Sequence, residues 1–310
     1  MWRLLATAFL AAVLSGCNYI TIDEAQPANN PPDEESVEEQ TEQIEVYTPE
    51  EIAEQLEEVE EKSKLKELME SVFQLEWGTR KETDAEPIQY LALGDSLTRG
   101  IGDETGKYGY TKRLSKAIEE WPAVSEVELD NRGKNGRRSD QLLSLVKKGH
   151  YDEELAEADL VTVTMGGNDV MKIVKKDLFS LKKEMFDKEM LKFEKRYRKI
   201  VEEIRKRNSE VPIILIGFYN PFSIITDEYT PFETIIDEWN MTIAQIASDD
   251  QNACFVPTSD LFETNEEMVY HTDFFHPNAS GYDRMTTRII QYMKVCDIEE
   301  MSTGRIGFEE

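Results

Sequence analysis

Five short runs read as strands, residues 88–93, 124–129, 160–164, 211–217 and 253–256, separated by stretches in which apolar residues recur at helical spacing. Helices are expected over 110–120, 139–148, 186–207, 230–247 and 279–295. The runs at Leu160 and Val211 are almost continuously apolar, as strands covered on both faces must be. Strand, helix, strand, repeated about five times, implies a parallel sheet with helices on both sides. In such sheets ligands bind beyond the carboxyl ends of the strands, so the residues following each run carry the functional question.

Those residues are unusual in type. After the first run comes Gly94-Asp95-Ser96-Leu97, and after the second Asn131-Arg132-Gly133-Lys134-Asn135-Gly136. The third is followed by Gly166-Gly167-Asn168-Asp169, and the last helix is preceded by Asp273-Phe274-Phe275-His276-Pro277. Taken alone, Asp95 and Ser96 read as a capped strand-to-helix turn. Together the four segments bring a serine, two glycine-bearing turns, an asparagine and an Asp/His pair to one sheet edge. Serine is a poor nucleophile until an imidazole takes its proton. That imidazole needs an orienting carboxylate, and a tetrahedral oxyanion needs fixed donors.

The four segments, in this order and at this spacing, resemble the SGNH/GDSL hydrolases (GDSL-type esterases and lipases) over residues 87–295. No Gly-x-Ser-x-Gly occurs, which removes the nucleophile elbow of the α/β-hydrolases. The resemblance implies a three-layer α/β/α flavodoxin-like sandwich around a mostly parallel five-stranded sheet. It implies Ser96 as nucleophile, His276 as base and Asp273 as its orienter. The oxyanion donors implied are the Ser96 and Gly136 amides and the Asn168 side chain. Gly133 is the rival to Gly136, which sits five residues after Asn131 as the family pattern asks. The reaction so implied is hydrolysis of carboxylic esters through an acyl-enzyme without a cofactor. Acyl-lipids, lysophospholipids or acetylated wall polymers are the substrate classes. Nothing asks for a second copy, and a monomer is expected.

The chain has three histidines, His150, His271 and His276. His150 follows Lys147-Lys148-Gly149 at an expected helix end, where a cation suits the dipole. His271-x-Asp273-x-x-His276 can also be read as a metal cluster, since His and Asp both ligate zinc. No further ligand pair is visible, so no metal is expected. Asp95 and Asp169 are read as loop-holding groups. Residues 170–189, a mixture of lysines and apolar side chains, read either as a lid or acyl-binding wall or as an amphipathic helix covering the sheet. Tyr219 and Phe222, after the fourth strand, are candidates to line a substrate pocket or to plug the domain.

The first seventeen residues read as an export signal: Arg3, an apolar stretch over 4–14, then Leu14-Ser15-Gly16-Cys17. This ending resembles a bacterial lipobox, which would leave Cys17 acylated and the chain anchored outside the cytoplasmic membrane. Residues 18–50 are acidic and proline-bearing, an expected disordered stalk. Residues 51–80 carry apolar residues at helical spacing, the hydrolase-like domain is expected over 86–298, and 299–310 form a tail. Formal net charge is −28, with sixteen Asp or Glu and no Lys or Arg between Asn18 and Glu61. That balance argues against nucleic acid and against an electrostatic hold on anionic lipid. Cys254 and Cys296 are free to pair in an oxidising compartment, but Cys254, in an apolar run, reads as a buried hydrophobe. The reading of a different class is a non-catalytic lipoprotein that binds a wall polymer or a protein partner on this fold.

Overall fold

The computed structural model describes residues 86–220, 222–223, 230–262, 269–273 and 275–308. The expected signal, stalk and 51–80 helix lie outside them. In chain order the elements are β1 (Ile88–Gly94), α1 (Ser96–Arg99), α2 (Gly109–Glu119), β2 (Val127–Gly133), α3 (Ser139–Lys147), α4 (Asp152–Glu157) and β3 (Leu160–Thr164). They continue with α5 (Gly167–Asp177), α6 (Lys183–Arg207), β4 (Ile213–Ile216), α7 (Pro231–Ser248), β5 (Ala253–Val256), α8 (Ala279–Val295) and α9 (Ile298–Met301). All five strands are parallel, in the order β2-β1-β3-β4-β5. This is the flavodoxin-like order, and its switch point lies between β1 and β3.

Strand alternation divides the core. Leu91, Leu93, Val161, Val163, Ile213 and Leu215 face the side covered by α3 to α7. Tyr90, Ala92, Leu160, Ile214 and Ile216 face the side covered by α2 and α8. β3 and β4 are buried at every position, which is why they read as unbroken apolar runs.

The structure corrects several expectations. β2 begins and ends later than 124–129, so Asn131 lies within it. As an edge strand pairing only with β1 it is half exposed, and tolerates Asp130, Asn131 and Arg132. β4 is shorter than 211–217. The 170–189 segment is mostly helix: α5 begins at Gly167, and α6 starts at Lys183, ahead of the expected 186. The helix α4 has no counterpart among the expected elements. Residues 299–308 pack on the domain, with Ile306 fully buried and the Phe308 ring 5.6 Å from Trp121. Cys254 is buried as read, yet not as a free thiol. It is bonded to Cys296 just past the end of α8, with the Cα atoms 6.0 Å apart.

This disulfide ties the edge strand β5 to α8 across 42 residues. Closing a loop of that length in the unfolded chain favours the folded state by about 2–4 kcal/mol. Cys254→Ala with Cys296→Ala, or mild reduction, is therefore expected to lower the urea-unfolding free energy by about that amount, with the far-ultraviolet spectrum retained.

Candidate active site

β1 stops at a point of close approach. A Cβ added at Gly94 would lie 2.3 Å from Thr98 Oγ1 and 2.4 Å from Thr164 Oγ1, so only glycine fits between β3 and the first turn of α1. Asp95 then caps α1, its Oδ1 accepting from the Leu97 amide at 3.0 Å and from the Thr164 hydroxyl at 3.1 Å. Ser96 is the first residue of α1 and is 4% exposed. Beneath it a buried hydroxyl chain links Thr164 to Thr98 (2.7 Å), Thr98 to Tyr110 (2.9 Å), Tyr110 to Thr162 (3.2 Å) and Thr162 to Tyr90 (2.9 Å). Each hydroxyl is satisfied, as burial demands, and the chain fixes α1 against β1 and β3. None of these partners stands out in the sequence. The only signal is threonine alternating with leucine and valine in β3.

The loop after β2 folds back over the end of β1. The Lys134 amide donates to the Gly94 carbonyl at 3.1 Å. The buried Arg137 guanidinium donates through Nη1 to the Gly94 carbonyl at 3.2 Å and to the Arg132 carbonyl at 2.6 Å. The two glycines differ sharply. The Gly133 amide is held by Asn131 Oδ1 at 2.9 Å, and a Cβ there would meet the Arg99 amide nitrogen at 2.3 Å. Gly136 has φ +74°, open space around it, and an amide with no acceptor among the described residues. Of the two, Gly136 alone has an N–H left to give.

Asn168 stands in the first turn of α5, its Nδ2 donating to the Arg137 carbonyl at 3.1 Å and approaching Asp95 Oδ2 at 3.5 Å. The adjacent Asp169 is buried and accepts from the Ser139 amide (3.0 Å), the Ser139 hydroxyl (2.7 Å) and Arg196 (3.1 Å). This anchors α5 to α3 and α6, the loop-holding role expected of Asp169.

Asp273 and His276 form the tightest pair. Asp273 Oδ1 accepts from the Phe275 and His276 amides, both at 3.0 Å, and Oδ2 lies 2.6 Å from His276 Nδ1. With Nδ1 donating to the carboxylate, the lone pair sits on Nε2. Nε2 is buried and has no partner among the described residues. Burial pushes the Asp273 carboxyl up, but the hydrogen bond and charge of His276 and the two amides outweigh it, bringing it down to about 2. His271 is placed differently, half exposed with Nδ1 3.8 Å from Asp273 Oδ1. Among the described residues no three His, Cys, Asp or Glu side chains are grouped to hold a metal. Both Asp273 oxygens are already committed.

The loop after α1 joins serine to histidine. The Ile101 amide donates to the Ser96 carbonyl at 3.0 Å, and the Ile101 carbonyl accepts from Tyr282 at 2.7 Å. At Gly102, with φ +92°, a Cβ would lie 2.9 Å from the His276 Cβ and 2.5 Å from the Pro277 carbonyl oxygen. Tyr219 donates to the Phe275 carbonyl at 2.7 Å, holding the histidine loop from the β4 side.

Ser96 and Asn168 open on a small cleft. Its walls are Leu97, Val170, Met171, Phe218, Tyr219, Ile236 and Phe275. Tyr219 is thus in the cleft wall as expected, whereas Phe222 is not. Its ring packs on Phe232, centroids 4.7 Å apart, at the α7 side of the core. Met171 and Ile236 are wall residues that carry no pocket signal in the sequence.

A serine just after β1, a glycine amide after β2, asparagine after β3 and an Asp/His pair before the last long helix, on a flavodoxin-like sheet, define a site of the SGNH hydrolase class. The sequence profile of the GDSL-like Lipase/Acylhydrolase family matches residues 92–284, and the chain belongs to that family. It is 35% identical to the Bacillus subtilis (strain 168) protein YpmR over 67% of this chain and 82% of YpmR. It is 27% identical to the spore germination lipase LipC of Bacillus licheniformis over 65% of this chain and 94% of LipC. Among solved structures, the lipase Lip_vut3 from a goat rumen metagenome superposes with a TM-score of 0.58 at 26% identity. That match covers 66% of this chain and 97% of the lipase.

Asp95 gives the site a pH signature. Burial pushes its carboxyl up to about 6, against the lowering influence of the Leu97 amide, Thr164 and the charge of His276. A value raised on folding means that the proton is held more tightly in the folded state. The resulting stabilisation is full below about pH 4 and is lost as pH rises through about 6. Asp95→Asn, which keeps an acceptor for Leu97, is therefore expected to be more stable than the native chain above pH 6 by about 3 kcal/mol. The difference should close toward about pH 4 when urea unfolding is compared across that range.

Proposed function

We propose that the chain hydrolyses carboxylic esters of fatty acyl groups through an acyl-enzyme on Ser96. One observation carries the reading: His276 is held by Asp273 through Nδ1, with Nε2 unpartnered among the described residues, on the loop whose Phe275 walls the cleft that Ser96 lines. In this mechanism Nε2 takes the Ser96 proton as Oγ attacks the ester carbonyl. The oxyanion accepts from the Ser96 and Gly136 amides and from Asn168. The imidazolium, stabilised by Asp273, returns its proton to the leaving alcohol, and His276 then activates water against the acyl-enzyme.

The apolar wall favours an acyl chain over an acetyl group, because burying each methylene contributes about 0.8 kcal/mol. The likeness to a lipase active in spore germination supports the same choice. For location we propose a chain anchored by lipid at Cys17 and facing the extracytoplasmic side. The lipobox-like segment supports this, and so does the Cys254–Cys296 bond, which belongs in an oxidising compartment.

The full chain should be labelled by a fluorophosphonate and should cleave p-nitrophenyl esters with a preference for chains longer than acetate. Ser96→Ala should abolish both. Asn168→Ala should cost about 10²–10³ in kcat. His276→Ala should be far more damaging than His271→Ala. An unlabelled, inactive native chain would overturn the hydrolase reading, and the opposite histidine ranking would overturn the choice of base. Fractionation tests the anchor separately, since Cys17→Ala should move the protein from the membrane to the soluble fraction.

A further inference from the structure

Helix α5 presents two different faces. Inward, Val170 and Met171 wall the cleft, and Ile173 and Val174 are buried. Outward, Lys172, Lys175 and Lys176 are exposed at positions i, i+3 and i+4, one face of the helix. Phe179 follows with 89% of its surface exposed, the highest value among the exposed large hydrophobic residues described, and exposed Lys182 comes next.

The charge here is inverted relative to the chain. Residues 170–183 hold five lysines and a single acid, Asp177, within a chain of net charge −28. Lys183 is tied to Asp187 and Glu238, and the charge of Lys172 acts on Asp140, but Lys175, Lys176 and Lys182 form no ion pair among the described residues.

We infer that α5 and the turn after it form a docking surface for an anionic lipid bilayer. The ammonium groups meet headgroup phosphates, and Phe179 enters the acyl boundary. Phosphates on a soluble polymer would satisfy the lysines but would leave the phenyl ring in water, so the ring selects the bilayer. The overall charge repels an anionic surface at long range. Within a Debye length, about 8 Å at physiological salt, the local patch decides. Helix α5 carries Asn168 in its first turn and ends at Asp177, about 14 Å further along its axis, with Phe179 two residues beyond, so docking here brings the cleft close to lipid.

The test uses the full chain with Cys17→Ala throughout, so that no acyl anchor contributes. Vesicles of phosphatidylcholine mixed with phosphatidylglycerol are compared with phosphatidylcholine alone. Each basic side chain near an anionic surface strengthens binding roughly fivefold. Replacing Lys172, Lys175, Lys176 and Lys182 by Gln should therefore weaken binding to the mixed vesicles tenfold or more, with hydrolysis of soluble p-nitrophenyl butyrate unchanged. In Phe179→Trp, with the emission of the native tryptophans subtracted, the new tryptophan should shift to the blue on mixed vesicles only. Lipids brominated on their acyl chains should quench it. Equal binding by the lysine variant, or an unshifted tryptophan, overturns the inference. So does tight binding of soluble poly(glycerol phosphate) with the tryptophan still unshifted, which would mark a polymer site. Ser96→Ala should dock like its parent, so a failed docking result and a failed hydrolase reading remain distinguishable.

Discussion

At Gly94 strand β1, strand β3 and the first turn of α1 come so close that a single methyl group would lie within 2.4 Å of two threonine hydroxyls. The contact seats α1 directly on the strand end, so Ser96 emerges at the sheet edge at a fixed height. It also frees the Gly94 carbonyl to receive Lys134 and Arg137, drawing the β2 loop alongside. Arg137 in turn offers its own carbonyl to Asn168. Three candidate contributions from three adjacent strands are therefore registered to one another through backbone atoms around one glycine. The strand order β2-β1-β3 places β1 between the other two, making that registration short and stiff.

The two carboxylates of the site are driven in opposite directions by their surroundings. Asp95 and Asp273 are both desolvated, which raises each. Asp273 has an imidazole at 2.6 Å and two amides to offset the cost, and falls to about 2. Asp95 has one amide, one hydroxyl and a long contact to Asn168, and rises to about 6. An ionised Asp273 is what an imidazolium needs beside it. A carboxyl at Asp95 that gains its proton easily suits a place where negative charge would develop nearby. The chain can place two acids at one edge because only one of them faces the histidine as a committed ion-pair partner.

Residue pattern alone makes much of this legible. β3 and β4 are buried on both faces and can only read as strands, and α8 matches its expected bounds because Asn278 caps it and its apolar stripe is regular. The edge strand β2 escapes its expected bounds because exposure lets it carry Asp130, Asn131 and Arg132, which look like loop. The start of α5 is hidden by Gly166-Gly167, which reads as a turn. The turn is real, with Gly166 at φ +131°, but the helix follows at once without a side-chain cap to announce it. Ser96, Asn168, Asp273 and His276 stand out because their residue types are unusual where they fall. Their supports do not. Thr162, Thr164 and Tyr110 are ordinary strand and helix residues until tertiary contact joins their hydroxyls, and two cysteines 42 residues apart carry no pattern.

The same limit explains the charge of the molecule. A net charge summed over a chain describes its field far away, where the sixteen acids between Asn18 and Glu61 weigh heavily. At contact, screening leaves only the nearest side chains effective, and on the outer face of α5 these are lysines. One helix therefore serves two solvents. Its inner face completes an apolar cleft beside Ser96, and its outer face carries the lysines, with the most exposed of the large hydrophobic side chains described just beyond its end. An amphipathic helix usually spends its polar face on water alone. Here the phenyl ring that follows it is left almost wholly in solvent, and that unmet burial, more than the lysines, gives the surface its direction.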